Sequence, residues 1–145
     1  GGDCVDRAIK HICRGMYEPE DVIEIFDKSI FKEGTAGVVL TTEAICVLDV
    51  AHRPSKFIAR YADFFGYTDI EYKNYWYWEE NPFGGRKCLT ESPRESMIEI
   101  EMKNGALYKL DVDYLFEHSN ESNPKAQSLS SFLDRAYELY RDMTV

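Results

Sequence analysis

Ser96-Met97-Ile98-Glu99-Ile100-Glu101-Met102-Lys103-Asn104-Gly105-Ala106-Leu107-Tyr108-Lys109-Leu110-Asp111-Val112 is the stretch whose reading decides the fold. Ile98, Ile100 and Met102 alternate with Met97, Glu99 and Glu101, and the alternation resumes as Ala106, Tyr108, Leu110 and Val112. Period two marks strands with one buried face, so this is a β-hairpin. A two-residue Asn104-Gly105 loop would set Met102 opposite Leu107 and split the apolar residues between faces. A three-residue loop, Lys103 to Gly105, sets Met102 opposite Ala106, Ile100 opposite Tyr108 and Ile98 opposite Leu110. All the apolar residues then share one face, and the buried face fixes register. Gly105 tolerates the positive φ that such a loop requires.

Downstream, Leu129, Phe132, Leu133, Ala136, Tyr140 and Met143 recur at helical spacing, with Ser128 as the expected cap. The hairpin and this amphipathic helix predict an α+β fold, a bent antiparallel sheet closed by a C-terminal helix. Upstream, Asp3 is the expected cap of an N-terminal helix over residues 3–17, with Val5, Ala8, Ile9, Ile12 and Met16 on one face. Val22 to Phe31 is apolar and reads equally as a short helix or a strand. Gly37 to Leu48 reads as two strands about a turn at Thr41–Ala44, because β-branched residues dominate. Residues 56–61 and 69–73 read as strands, and Tyr75-Trp76-Tyr77-Trp78 as an extension of the latter. Pro82, Gly84, Gly85 and Pro93 mark residues 79–93 as loop, and residues 117–127 form a polar loop.

The 145 residues suit one domain, residues 1–145, and 44% hydrophobic content supplies a real core. No apolar run reaches the roughly 20 residues of a membrane span. The opening residues do not read as a secretory signal, so a cytoplasmic location is expected. Asp and Glu total 26 against 17 Lys and Arg, a formal charge of −9. That charge repels nucleic-acid phosphates and anionic lipid, and favours basic partners. Cys4, Cys13, Cys46 and Cys88 show no CxxC spacing, so free thiols are expected, with no cofactor and no tightly bound transition metal.

The run Gly37-Val38-Val39-Leu40-Thr41-Thr42-Glu43-Ala44-Ile45 is similar to the opening strand pair of small bacterial pleckstrin-homology-like (PH-like) domains. Phe57-Ile58-Ala59-Arg60-Tyr61-Ala62-Asp63 resembles the strand and turn that follow there, and the terminal helix completes the likeness over residues 21–145. The resemblance implies a strongly bent antiparallel sheet with a closing helix. It implies no catalytic residue. The N-terminal helix, the 79–93 insertion and Ala44 at an expected glycine depart from the pattern.

Candidate chemistry is sparse. His11 and Cys13 lie two apart and, on one helix, point away from each other, so they do not share a metal. His52 and His118 are expected as solvated loop residues. Cys88 with either would make a thiolate site, the basis of an alternative reading as a small cysteine- or histidine-dependent hydrolase or transferase. Glu99 and Glu101 read as a charged outer face shared with Lys109 and Asp111. Gly84-Gly85-Arg86-Lys87 lacks a phosphate-cradling pattern. Inositol phosphates would require a Lys/Arg cluster that this chain lacks. Tyr75, Trp76, Tyr77 and Trp78, beside Glu79 and Glu80, are the strongest contact signal, since Tyr and Trp are enriched at interaction hot spots. The sequence therefore predicts a non-enzymatic, acidic module. It would bind a basic protein through those six residues, in the manner of an immunity or antitoxin protein.

Overall fold

A computed structural model describes residues 2–30, 33–66, 70–73, 76–80, 83–91, 95–116 and 124–143. The chain is α+β. Helix α1 (Gly2–His11) precedes strands β1 (Val22–Asp27), β2 (Gly37–Thr41), β3 (Ala44–Leu48) and β4 (Lys56–Arg60), which form one antiparallel sheet in sequence order. A second sheet has the order β5 (Ile70–Lys73), β8 (Glu95–Glu101), β9 (Leu107–Asp111). Strands β6 (Trp76–Glu79) and β7 (Cys88–Glu91) pair as a separate hairpin, and helices α2 (Val112–Phe116) and α3 (Pro124–Met143) close the chain.

The decisive hairpin has the expected register. Ile98 lies opposite Leu110 and Ile100 opposite Tyr108. Met102 N–H donates to Ala106 O at 2.9 Å, and Gly105 N–H donates to Met102 O at 2.9 Å. Gly105 has φ +90°, as the three-residue loop demands. Ile98, Ile100 and Leu110 are fully buried. On the opposite face Lys109 Nζ sits 3.4 Å from Glu99 Oε1, a cross-strand ion pair where charged residues were expected.

Strands β2 and β3 are buried on both faces, which explains their unbroken apolar run. Val38, Leu40, Ile45 and Val47 face the main core, which also takes Phe57, Ile98, Ile100, Leu110, Leu129 and Leu133. Val39, Ala44 and Cys46 face α1 and its turn through Ala8, Ile12, Cys13 and Tyr17. Fully burying one such aliphatic side chain contributes about 1.5–3 kcal/mol. The turn between β2 and β3 is held by Thr41, whose Oγ1 accepts from Ala44 N–H at 2.9 Å. The Tyr61 hydroxyl donates to Thr41 O at 2.7 Å, and the Tyr140 hydroxyl to Thr42 O at 2.7 Å. Burial, then the neighbouring Cys46 and Tyr140, push the Tyr61 phenol upward.

The two larger sheets are joined at their ends. Arg53 and Lys109 exchange backbone hydrogen bonds of 2.9 and 2.7 Å, and Phe65 N–H reaches Glu101 O at 2.8 Å. One core therefore runs through both sheets under α3.

Several boundaries differ from expectation. Helix α1 stops at His11 rather than 17, because Arg14 (φ 54°) and Gly15 (φ 71°) are left-handed and turn the chain; Gly15 N–H caps Ile9 O at 2.8 Å. Val22 to Asp27 is strand, not helix. Trp76–Glu79 does not extend β5 but pairs with Cys88–Glu91, so part of the expected 79–93 loop is β7. Helix α3 begins at Pro124, four residues before the expected Ser128 cap; proline suits a first helical position, where its missing N–H costs nothing. The alternation through Val112 conceals α2, in which Val112 and Leu115 are buried.

Candidate functional site

The hairpin formed by β6 and β7 carries the expected contact residues. Trp78 lies directly opposite Leu89 and Glu79 opposite Cys88. Trp78 is 66% exposed, Leu89 52% and Phe83, in the connecting turn, 95%. Gly84 (φ 83°) and Gly85 (φ 101°) supply the left-handed positions that reverse the chain there. Glu79 and Glu80 are exposed beside Trp78. Trp76 and Tyr77 are placed by backbone register opposite Glu91 and Thr90. Tyr75 and the side chains of Trp76 and Tyr77 lie outside the described residues. The arm thus presents an indole and two further large apolar side chains next to two carboxylates.

His52 reverses expectation. It is 1% exposed, not solvated. Its Nδ1 accepts the Asp111 backbone N–H at 3.0 Å, which seats the imidazole under α2 and leaves its proton on Nε2. The ring lies 6.2 Å from that of Tyr114, edge to face. Burial lowers its pKa, Asp49 and Asp111 act in the opposite direction, and Lys28 adds to the lowering. Buried Asp49 accepts from Ala51 N–H at 3.2 Å through Oδ1. Among the described residues His52 Nε2 has no hydrogen-bond partner, and the Tyr114 phenol, pushed up by burial and then by Asp49, leans on the Asp49 carboxylate. This cluster was not legible beforehand. Its only sequence signal is an Asp three residues before a His, which many surface turns share.

The other candidates separate. Cys88 is exposed on β7, and His52 faces Asp49, Asp111, Lys28 and Tyr114 instead of a thiol. His11, the last residue of α1, is exposed, and Cys13, two residues beyond it, is buried. His118 lies outside the described residues. Cys13 and Cys46 are buried together, and contact with the Cys13 thiol, then burial, push the Cys46 thiol up. Among the described residues no three His, Cys, Asp or Glu side chains converge as a metal site, and no helix is long and apolar enough to cross a membrane.

A groove of about 740 Å³ runs between β1 and α3, with Phe26, Leu40, Leu129 and Phe132 in its walls. Its charged residues are Glu24, Lys28 and Lys125, so it has no acidic surplus to attract a basic partner. Comparison with protein-family models, curated proteins and solved structures gave no match.

Proposed function

We propose that this protein is a non-enzymatic interaction module that binds a basic protein through the β6–β7 arm, with an immunity- or antitoxin-type inhibitor as its concrete form. A PH-like scaffold, bent sheet and closing helix, belongs to the same reading. The observation that carries it is the exposure of Trp78 opposite Leu89 beside Glu79 and Glu80. Large aromatic side chains left on a surface cost solvation unless a partner covers them, and they dominate interface energetics when buried. The net charge of −9 supplies long-range attraction to a cationic partner. Charge sets the encounter rate and the aromatic arm sets the lifetime. The exposure of Cys88 and the burial of His52 weigh against the form of the hydrolase or transferase alternative that pairs those two, because nucleophile and base must touch.

The test is a pull-down from the source organism followed by stopped-flow binding of the captured partner. Association should slow steeply with salt, since screening cuts charge attraction to about 8 Å at physiological ionic strength. Trp78→Ala should speed dissociation and weaken the complex by about 2 kcal/mol or more. Salt-independent association with unchanged dissociation in Trp78→Ala and Leu89→Ala would remove the arm as the site.

A further inference from the structure

We propose that Cys13 and Cys46 form a redox pair, which a small-molecule disulfide oxidant closes into one disulfide that bolts the turn after α1 to β3. Neither residue belongs to the β6–β7 arm, so the pair is independent of the function proposed above.

The two thiols share one small cluster. Both residues are fully buried, packed with Ala8, Ile12, Tyr17, Val39 and Ala44 on the face of the sheet that α1 covers. Both backbones are held in place. Cys46 sits in an interior strand, opposite Val39 of β2 and Ile58 of β4. Cys13 N–H donates to Ala8 O at 3.2 Å, and Cys13 O accepts from Met16 N–H at 3.0 Å. The two side chains meet as hydrogen-bond partners. That contact holds the Cys13 thiol below its ordinary range against the opposing effect of burial, and the same contact, then burial, pushes Cys46 up. Cys13 is therefore the better nucleophile and Cys46 the thiol that resolves it, with the charge of Arg14 favouring the thiolate form beside them. The other two cysteines have no such neighbour: the Cys4 thiol donates to Asp27 Oδ2 at 3.6 Å, and Cys88 is exposed on β7.

An oxidant gains access when α1 lifts. The cluster under α1 is separate from the main core that Leu129 and Leu133 of α3 close, so the first helix opens without disturbing that core. The Cys13 thiolate then attacks one sulfur of the oxidant. The oxidant's S–S bond breaks, a mixed disulfide forms and one thiolate leaves. Cys46 gives up its proton and attacks Cys13 Sγ, which expels the second thiolate. Two electrons pass from the protein thiols to the oxidant, which departs as two thiols carrying the two protons. The new bond restricts the unfolded chain and holds α1 against the sheet.

The test incubates the folded, reduced chain with glutathione disulfide in native buffer, then alkylates it in denaturant and maps the peptides. A Cys13–Cys46 cross-linked peptide should accumulate and disappear with dithiothreitol. The oxidised chain should unfold at a higher urea midpoint than the reduced one. Cys46→Ala should leave glutathione trapped on Cys13, because the resolving thiol is gone. A Cys13–Cys46 link that forms only in urea, a link from Cys13 or Cys46 to Cys4 or Cys88 instead, or no link in native buffer overturns the proposal. Each of these is read on the unmutated chain, so the outcome stands even if Cys46→Ala fails to fold.

Discussion

His52 Nδ1 accepts the backbone N–H of Asp111 at 3.0 Å, a bond that spans 59 residues and ties the β3–β4 loop to the last residue of β9. The same loop exchanges Arg53–Lys109 backbone bonds with that strand. The imidazole is thereby fixed in its neutral form, because a proton on Nδ1 would set two donors against each other.

Stability should therefore fall on mild acidification. The folded-state pKa of His52 lies below its ordinary 6.5. As pH drops, the unfolded chain takes up the proton first, so the stability present above about 6.5 is lost as pH falls toward the folded value. The slope is at most about 1.4 kcal/mol per pH unit for one proton. Urea midpoints from pH 8 to pH 5 should decline, and His52→Gln should flatten the decline. An identical slope in that variant would assign the effect elsewhere. Asp27 acts in a separate, more acidic window: burial pushes its carboxyl up, but hydrogen bonds from Ser29, Gly34 and Cys4 outweigh that and hold it below 3.8. Its contribution is kept above that value and lost below it.

Two glycines should respond differently to substitution. Gly105 has φ +90°, and a Cβ there meets nothing within 4 Å, so Gly105→Val should cost only backbone strain, about 1–2 kcal/mol. Gly37 has φ +139°, and a Cβ there would overlap the Phe26 carbonyl across the β1–β2 pair. Gly37→Ala should cost more than Gly105→Val by thermal denaturation. The reverse order would contradict the register of β1.

Along α3, Leu133 is fully buried and Leu139 is 60% exposed. Leu133→Ala should destabilise by about 2–5 kcal/mol, and Leu139→Ala by less than about 0.5 kcal/mol. Chemical denaturation of both variants checks whether α3 closes the core or merely lies on it.

Thiol chemistry should be graded by burial. Cys88 is exposed, Cys4 partly buried, Cys13 and Cys46 fully buried. In native protein Cys88 should react first with a thiol-specific reagent, and Cys13 and Cys46 only as the fold opens. Fast labelling of Cys46 would mean that α1 does not cover β3.

What was legible came from residues whose neighbours in sequence are also their neighbours in space. The alternation of Ile98, Ile100 and Met102 with glutamates set the β8–β9 register, because a one-residue slip would bury charge. The apolar run from Gly37 to Leu48 announced two strands, and the spacing of Leu129, Leu133 and Ala136 announced a helix facing a core. The β7 strand was not legible, since Cys88 to Glu91 becomes a strand only by pairing with Trp76 to Glu79. The start of α3 was missed because Ser128 offers a plausible cap inside a longer helix.

The sequence by itself determined the α+β class, the hairpin turn at Gly105 and the acidic charge, all carried by local periodicity, one left-handed position and composition. Only the tertiary structure decided that His52 is buried, that Asp49 is buried near it against Tyr114, and that Trp78 and Leu89 share an exposed arm. Each of these depends on which distant segment covers a residue. Asp111 reaches His52 across 59 positions, and local sequence carries no record of that approach.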